Sequence, residues 1–408
     1  SIPISMGYTQ IAGLPAVYGL YGSVFPILLF ALFSTSPQFI FGVDAAPAAL
    51  VGSALLTMEI ESGSAAAVKI VPVITFWVAV WLLVFSLFKT GKLVSYISAP
   101  VMGGFITGIC TEIILMQLPK LMGGTPGTGE LPELLEHIFV TVKLVHIPSL
   151  LLGIAALAIL VTGKKLVPKF PMAVALMAAG ALLTRFCPSL MKNIQTLNNV
   201  DPGLPVWRLP QILSVPLAEV VTISLSIAVV IMAETLLAEN NFAMKNGYRV
   251  DNNQELLAFS IGNFSAAFTG CCPINGSVSR TALSEQYQGK TQVTGIIAGL
   301  SMILLLVSGT GFIGYLPVPV LTAIVISALM GATEFEMVKR LWKINRQECM
   351  IFFGAFFGVL MLGTINGVLI GIILSFAEVI IRSAKPVRSF LGIQPGHKHF
   401  RDLNDNSQ

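Results

Sequence analysis

Cys271-Cys272-Pro273-Ile274-Asn275-Gly276-Ser277-Val278-Ser279-Arg280-Thr281-Ala282-Leu283 sets an arginine in a long apolar stretch, where Arg280 is the only charge between Glu255 and Glu285. A charge at bilayer depth is costly and usually faces a cavity, a pathway or a partner. Arg280 therefore reads as a buried cation that requires an anion close by.

The rest of the chain justifies placing that stretch in a membrane. It has 408 residues, 55% of them hydrophobic and 11% charged, with 37 glycines and a net charge of +4. Soluble domains carry roughly 25% charged residues. Apolar runs lie near 16–33, 45–58, 66–88, 93–118, 145–163, 168–186, 215–240, 252–269, 291–311, 317–332, 347–363 and 365–384, with shorter pieces at 1–12 and 277–288. Runs of about 20 residues match the hydrocarbon core of a bilayer, so the chain reads as an all-α polytopic membrane protein with the lipid bilayer as its surroundings. Segment 121–142, with Glu130, Glu133 and Glu136, reads as an interfacial helix or loop. The piece at 1–12 is too short to span and is expected to begin inside a helix whose first half is missing. The charge is too small to argue for nucleic acid. Cys110, Cys187, Cys271, Cys272 and Cys349 show no metal spacing and read as packing residues, so no metal or other cofactor is expected.

Lysine and arginine give the orientation. Lys89, Lys92, Lys164, Lys165, Lys169, Lys245, Arg249, Lys290, Lys339, Arg340, Lys343, Arg346 and five in the tail fall on one side, seventeen of 24; Lys69, Lys120, Lys143, Arg185, Lys192 and Arg208 fall on the other. The bias puts the C-terminus in the cytoplasm, provided that 277–288 counts as a crossing. From Cys271 to Ser277 an extended chain covers roughly 20 Å, and a helix of about twelve residues from Ser277 adds roughly 18 Å. Together they cross a core of about 30 Å. Pro37-Gln38-Phe39-Ile40-Phe41-Gly42-Val43 repeats the construction, with Asp44-Ala45-Ala46-Pro47 opening the second half-helix. Asp44 is a good N-cap and Pro47 is tolerated in a first turn.

Paired, interrupted hydrophobic segments point to a transporter site built from inverted repeats. Tyr96-Ile97-Ser98-Ala99-Pro100-Val101 and Tyr315-Leu316-Pro317-Val318-Pro319-Val320 add a second trace of repetition, with flanks of opposite charge. At this level the chain resembles the sulfate permease (SulP), or solute carrier 26, anion transporters. The resemblance is carried by Ile2-Pro3, Met6-Gly7-Tyr8, Ala12-Gly13-Leu14-Pro15 and Tyr18-Gly19-Leu20-Tyr21; by Asn253-Gln254-Glu255-Leu256 with Gly262-Asn263; and by Gly276-Ser277-Val278-Ser279-Arg280-Thr281-Ala282. It implies a 14-helix, 7+7 inverted-repeat transporter of the uracil-permease-type fold, with core and gate domains and with helices 3 and 10 as short half-helices. The transmembrane domain would occupy 1–384, with repeats at about 1–187 and 215–384. Residues 385–408 would form a cytoplasmic linker toward a STAS domain that the chain lacks. The family also implies a homodimer and an anion between the facing N-termini of the half-helices. That site maps onto Asp44, Ala45 and Ala46 and onto Asn275, Gly276, Ser277, Val278, Ser279 and Arg280, with Tyr8 as a wall.

The physics of such a site stands beside the resemblance. Two helix N-termini aim unpaired N–H groups and positive dipole ends at one point. Ser277 and Ser279 can donate hydrogen bonds, and Arg280 adds a charge that deprotonation cannot remove. The competing reading has Arg280 pairing with Asp44 or Glu234 only to hold helices together. A carboxylate beside an anion works against binding unless it is neutralised, so Glu234 and Asp44 are the candidates to take up a coupling proton or to hold a sodium ion. For Asp44 a plain N-cap paired with Arg280 is an equal alternative. Glu112 is a third buried acid, with no role assigned.

The chain departs from the family pattern at Ile4, where many members carry a polar or acidic residue, and at Ser36-Pro37-Gln38, which lacks a frequent arginine. Sulfate, bicarbonate, chloride and small dicarboxylates therefore all stay open as substrates. An enzyme is not expected, because His137, His146, His397 and His399 lie in loops or at interfaces and supply no base at depth. Coupled carriage of an anion is the leading reading; an uncoupled exchanger or channel of the same fold is the alternative, and a purine or uracil carrier the weakest.

Overall fold

The computed structural model describes residues 2–92, 99–127, 131–167, 170–188, 191–197, 203–212, 216–384, 391–393 and 400–402; at 3, 165, 279, 283, 286, 332, 363–369, 371–372 and beyond 374 it describes the backbone alone. The Tyr96 half of the repeat trace, Lys169 and most of the tail fall outside these residues. The first part of the chain forms α1 (Ile2–Ile11), α2 (Val17–Tyr21), α3 (Phe25–Phe33), strand β1 (Phe41–Gly42), α4 (Ala45–Thr57), α5 (Ala65–Leu87), α6 (Ala99–Leu121), α7 (Leu131–Lys143), α8 (Ile147–Leu166) and α9 (Met172–Phe186). The second forms α10 (Leu217–Asn246), α11 (Asn252–Phe268), β2 (Asn275–Gly276), α12 (Val278–Gln286), α13 (Val293–Ser308), a 3-10 turn (Thr310–Tyr315), α14 (Val318–Ala332), α15 (Phe335–Ile344) and α16 (Arg346–Ala384), followed by the antiparallel pair β3 (Leu391–Ile393) and β4 (Phe400–Asp402).

Among the described residues, α5, α6, α10 and residues 147–164 of α8 are each long and apolar enough to cross a membrane. The run at 16–33 is two helices, broken at Gly22–Val24. The basic loop at 334–346 holds α15, an amphipathic helix whose buried side chain is Leu341. The two apolar runs expected at 347–363 and 365–384 are one helical element, but it doubles back. A Cβ added to Gly358 would lie 3.4 Å from Ile370, and one added to Gly354 would lie 3.4 Å from Leu374. A straight helix at 1.5 Å per residue would separate those pairs by about 18 and about 30 Å. Both pairs centre on residue 364, the break read from the sequence.

Packing is exchanged between the two parts of the chain. α5 lies on α11 while α13 lies on α3, and α6 lies on α16 while α14 lies on α8 and α9. One apolar core gathers α4, α5, α10 and α11 around Leu50, Val51, Ile74, Ile231 and Phe259. A second gathers α8, α9 and α14 around Leu160, Met177, Leu321 and Ile324.

The two breaks that lead into α4 and α12 meet each other. Phe41 pairs with Gly276 and Gly42 with Asn275, antiparallel. Ser277 N donates to Ile40 O at 2.8 Å, and Ile40 N donates to Thr281 Oγ1 at 3.0 Å. A Cβ on Gly276 would sit 2.0 Å from Phe39 and 2.5 Å from Thr235, so only glycine fits at the crossing. Phe30, Phe41 and Phe259 form a triangle of mutually stacked rings, and Phe41 occupies the space that a side chain at Gly262 would take. Next to it, Asn263 Nδ2 donates to Ile274 O at 3.0 Å and Asn263 Oδ1 accepts from Ile274 N at 2.9 Å. That two-point clamp gives the Gly262-Asn263 pair a physical task.

Asn263→Ala leaves both polar groups of Ile274 buried without a partner, at about 1–3 kcal/mol for each. Thermal unfolding of the detergent-solubilised variant is expected several degrees below the parent; an unchanged midpoint would show that the clamp is dispensable.

Candidate functional site

Asp44 caps α4 as its sequence suggested, accepting from Ala45 N at 2.9 Å. Its carboxylate also takes a hydrogen bond from Ser277, the residue before α12. The two half-helix N-termini are thus joined through one side-chain contact as well as through the strand pair. In front of them lies a cavity of about 270 Å³, lined by Asp44, Ala45 and Ala46 of the first half-helix and Val278 and Ala282 of the second. Its other walls are Ile106, Ile109 and Cys110 of α6, Glu234 of α10, and Gly331, Thr333 and Glu334 at the α14–α15 junction. Drug-sized ligands occupy pockets of roughly 300–1,000 Å³, so this one suits a small solute.

Of the sequence-derived residues, Asp44, Ala45, Ala46, Val278 and Glu234 reach the cavity wall. Gly276 is consumed by the strand crossing, where its N–H donates to Thr235 Oγ1 at 3.2 Å. Asn275 is buried and donates to Glu234 Oε2 at 3.0 Å, so it positions that acid. Tyr8 is buried in the same core as Ala45 and Ala46. The side chain of Ser279 lies outside the described residues.

Arg280 lies behind the strand pair. Its Nη2 donates to Val43 O at 2.6 Å and stands 4.0 Å from Asp44 Oδ2. A Cβ on Gly42 would come within 2.9 Å of Nη1, so the glycine makes room for the guanidinium. Arg280 is 7% exposed, and its Nε and Nη1 are buried with no hydrogen-bond partner. The pairing with Asp44 and the unused donors are both present. Arg280 therefore braces the first half-helix and still carries free donors beside both N-termini.

Charge balance around the cavity singles out one acid. Asp44 is offset by Arg280. Glu334 lies within the field of Arg340, and Lys164 Nζ reaches the rim, 3.3 Å from where a Cβ on Gly331 would be. Glu234 faces Asp44, the Asn275 amide, Tyr8 and Cys110, and among the described residues no cation forms an ion pair with it. Sequence reasoning missed Glu334, Lys164 and Cys110 because α14, α15 and α6 are joined to the site by tertiary packing alone. Glu334 N donating to Thr107 Oγ1 at 2.9 Å, with Met337 packed on Gly103, ties α15 to α6.

A second cavity, of about 530 Å³, is lined by Gln10, Tyr21, Lys120, Thr125, Gln195 and Val318 among others. Val318 opens α14 and Gly331 lies near its end, thirteen residues apart, so the two cavities stand about 20 Å apart along that helix.

Val278 is 40% exposed and lines the first cavity, whereas Asn275 is fully buried. In a cysteine-free background a small thiol reagent is expected to modify Val278→Cys and spare Asn275→Cys. The reverse pattern would misplace the cavity.

A profile described as "Sulfate permease family" matches residues 1–355. The chain is 30% identical to sulfate transporter 2.1 of Arabidopsis thaliana, covering 99% of this chain and 62% of that protein. It is 29% identical to a probable sulfate transporter of Mycobacterium tuberculosis, covering 100% of this chain and 72% of the relative. It thus spans less than two thirds of the plant relative's length. In fold it is similar to the murine solute carrier 26 family member A9 anion transporter, solved in the inward-facing state, with a TM-score of 0.82 at 22% identity over 100% of this chain and 70% of the other.

Proposed function

The chain belongs to the sulfate permease family, and on that premise we propose that it carries a small anion, sulfate-like, bicarbonate or dicarboxylate, across a membrane by alternating access. The observation that carries this reading is the convergence of the α4 and α12 N-termini on one small cavity. Each N-terminus offers unpaired N–H groups and the positive end of a dipole, and the buried Arg280 donors stand beside both. The architecture that goes with it is a 14-helix, 7+7 inverted repeat. The exchanged packing of α5 with α11 and α13 with α3, and of α6 with α16 and α14 with α8, supports it.

In this mechanism the core, with α4, α5, α10, α11 and the strand pair, moves as a unit against a gate that contains α6, α8 and α14. The first cavity opens by the α14–α15 junction; the second lies at the other end of α14. Exposing the half-helix N-termini first to one and then to the other gives alternating access. Uncompensated Glu234 sets the coupling. An anion beside a bare carboxylate is repelled, so substrate enters with a proton or a sodium ion that neutralises Glu234. Asp44, already offset by Arg280, is the lesser candidate. We further read the protein as a homodimer with a cytoplasmic C-terminus, in a bacterial plasma membrane. An uncoupled exchanger or channel would use the same cavity but has no need of Glu234.

The test is uptake of labelled sulfate, bicarbonate and fumarate into proteoliposomes under imposed proton or sodium gradients. Arg280→Ala is expected to lower anion affinity about tenfold, roughly 1.4 kcal/mol, and undiminished affinity would sink the site. Glu234→Gln is expected to retain exchange and lose its dependence on the gradient. Uptake by the parent that ignores both gradients would favour the uncoupled reading.

A further inference from the structure

We propose that Glu239 and Glu255 together hold one proton at the α10–α11 junction, with Glu239 as the neutral donor and Glu255 as the ionised acceptor. Both side chains are 0% exposed. Glu255 accepts from four donors, three at Oε1 and one at Oε2, which leaves Oε2 able to accept another: Ser34 Oγ at 2.9 Å, Thr35 N at 2.5 Å, Thr35 Oγ1 at 2.6 Å and Ser36 N at 3.2 Å. A carboxyl that receives four hydrogen bonds and gives none is the ionised member of a pair. Glu239 lies against Glu255 and the Ser36 hydroxyl, yet neither of its oxygens has a hydrogen-bond partner in acceptable geometry. Two touching buried carboxylates cannot both be charged. A proton on Glu239, taken from solvent, gives one of its two orphan oxygens a bond to donate to Glu255 and removes the repulsion in one step.

The described groups on the packed elements offer no cation to do this instead. The segment before β1 contributes Ser34, Thr35 and Ser36, and the turn after α10 contributes Tyr248, whose hydroxyl is 3.4 Å from Ser36 Oγ. Past Tyr248 lies Glu285, already paired with Lys245 at 2.7 Å. α3 and α4 carry no titratable side chain. The only one on α5 is Lys69, near its start, whereas α11 is met at the far end, where Ser86 Oγ donates to Asn253 O. Arg346, the described cation of α16, forms no ion pair with either carboxyl. The pair is also separate from the transport cavity. Glu239 is five residues past Glu234, which puts it about 140° round α10 and about 7.5 Å along it. Its task is to let the ionised Glu255 anchor residues 34–36, the lead-in to β1 and hence to the Asp44 half-helix.

Thermal unfolding of the chain in lipid nanodiscs, followed from about pH 6 to about pH 9, tests the assignment. The folded state binds a proton that an unfolded glutamate has lost at these pH values, so raising the pH costs stability. The parent midpoint is expected to fall by several degrees across the range. Glu239→Gln keeps an N–H donor and the side-chain shape, so it is expected to fold and to flatten that slope. Glu255→Gln, which loses acceptor capacity toward Thr35 and Ser36, is expected to unfold at a lower temperature throughout. A Glu239→Gln variant that keeps the parental slope or fails to fold would overturn the proposal. So would a midpoint that rises with sodium at fixed pH in the parent and not in Glu239→Gln, since that would put a metal cation between the carboxyls.

Discussion

A polypeptide that stops being helical in the middle of a bilayer must find partners for its freed N–H and C=O groups within the protein, because the lipid supplies none. Here two such interruptions satisfy each other. Phe41–Gly42 and Asn275–Gly276 pair as strands, Ile40 exchanges bonds with Ser277 and Thr281, and Asn263 clamps Ile274 from α11. This crossing fixes where α4 and α12 begin. Because both begin at the same place, their dipoles reinforce at one point, and the cavity, the position of Arg280 and the contact between Ser277 and Asp44 all follow from it.

The electrostatics of the site are then a matter of balance. Arg280 offsets Asp44 and binds the Val43 carbonyl, so its first effect is on the backbone that presents α4. The field it adds reaches the cavity through the strand pair rather than by lining the wall. Glu334 has Arg340 near it and Lys164 stands at the rim, whereas the nearest charge that Glu234 feels is that of Asp44, and in our proposal its own charge is met by the coupling ion. The proton that we assign to Glu239 and Glu255 belongs to a different layer of the structure, where it supports the approach to β1. A transporter with one resident proton and one exchangeable neutralising ion would show two separable pH responses, one in stability and one in transport.

The residues that announced the fold did so through local rules. Asp44 and Pro47 mark a helix start, the extended runs before Asp44 and Ser277 have the length to reach mid-membrane, and the break near residue 364 is visible as a gap between apolar runs. Other features depend on contacts between distant segments. α15 has an amphipathic pattern, but its charges, Lys339, Arg340 and Lys343, made it read as a loop. The break at Gly22–Val24 sits inside an unbroken apolar run. Whether Arg280 faces the cavity or the strand behind it depends on which side of α12 meets β1, and a nine-residue helix carries too little periodicity to say. Glu239 carries no local mark of a role, because only the fold sets it against Glu255.

The central claim is that a small anion binds where the N-termini of α4 and α12 converge. Anomalous scattering or cryo-electron microscopy of the protein with an electron-dense anion, bromide or selenate, would test it most directly. Density is expected in the cavity between Ala46 and Val278, within hydrogen-bonding distance of backbone N–H groups from both half-helices. Density confined to the second cavity beside Lys120, with the first cavity empty at saturating anion, would contradict it.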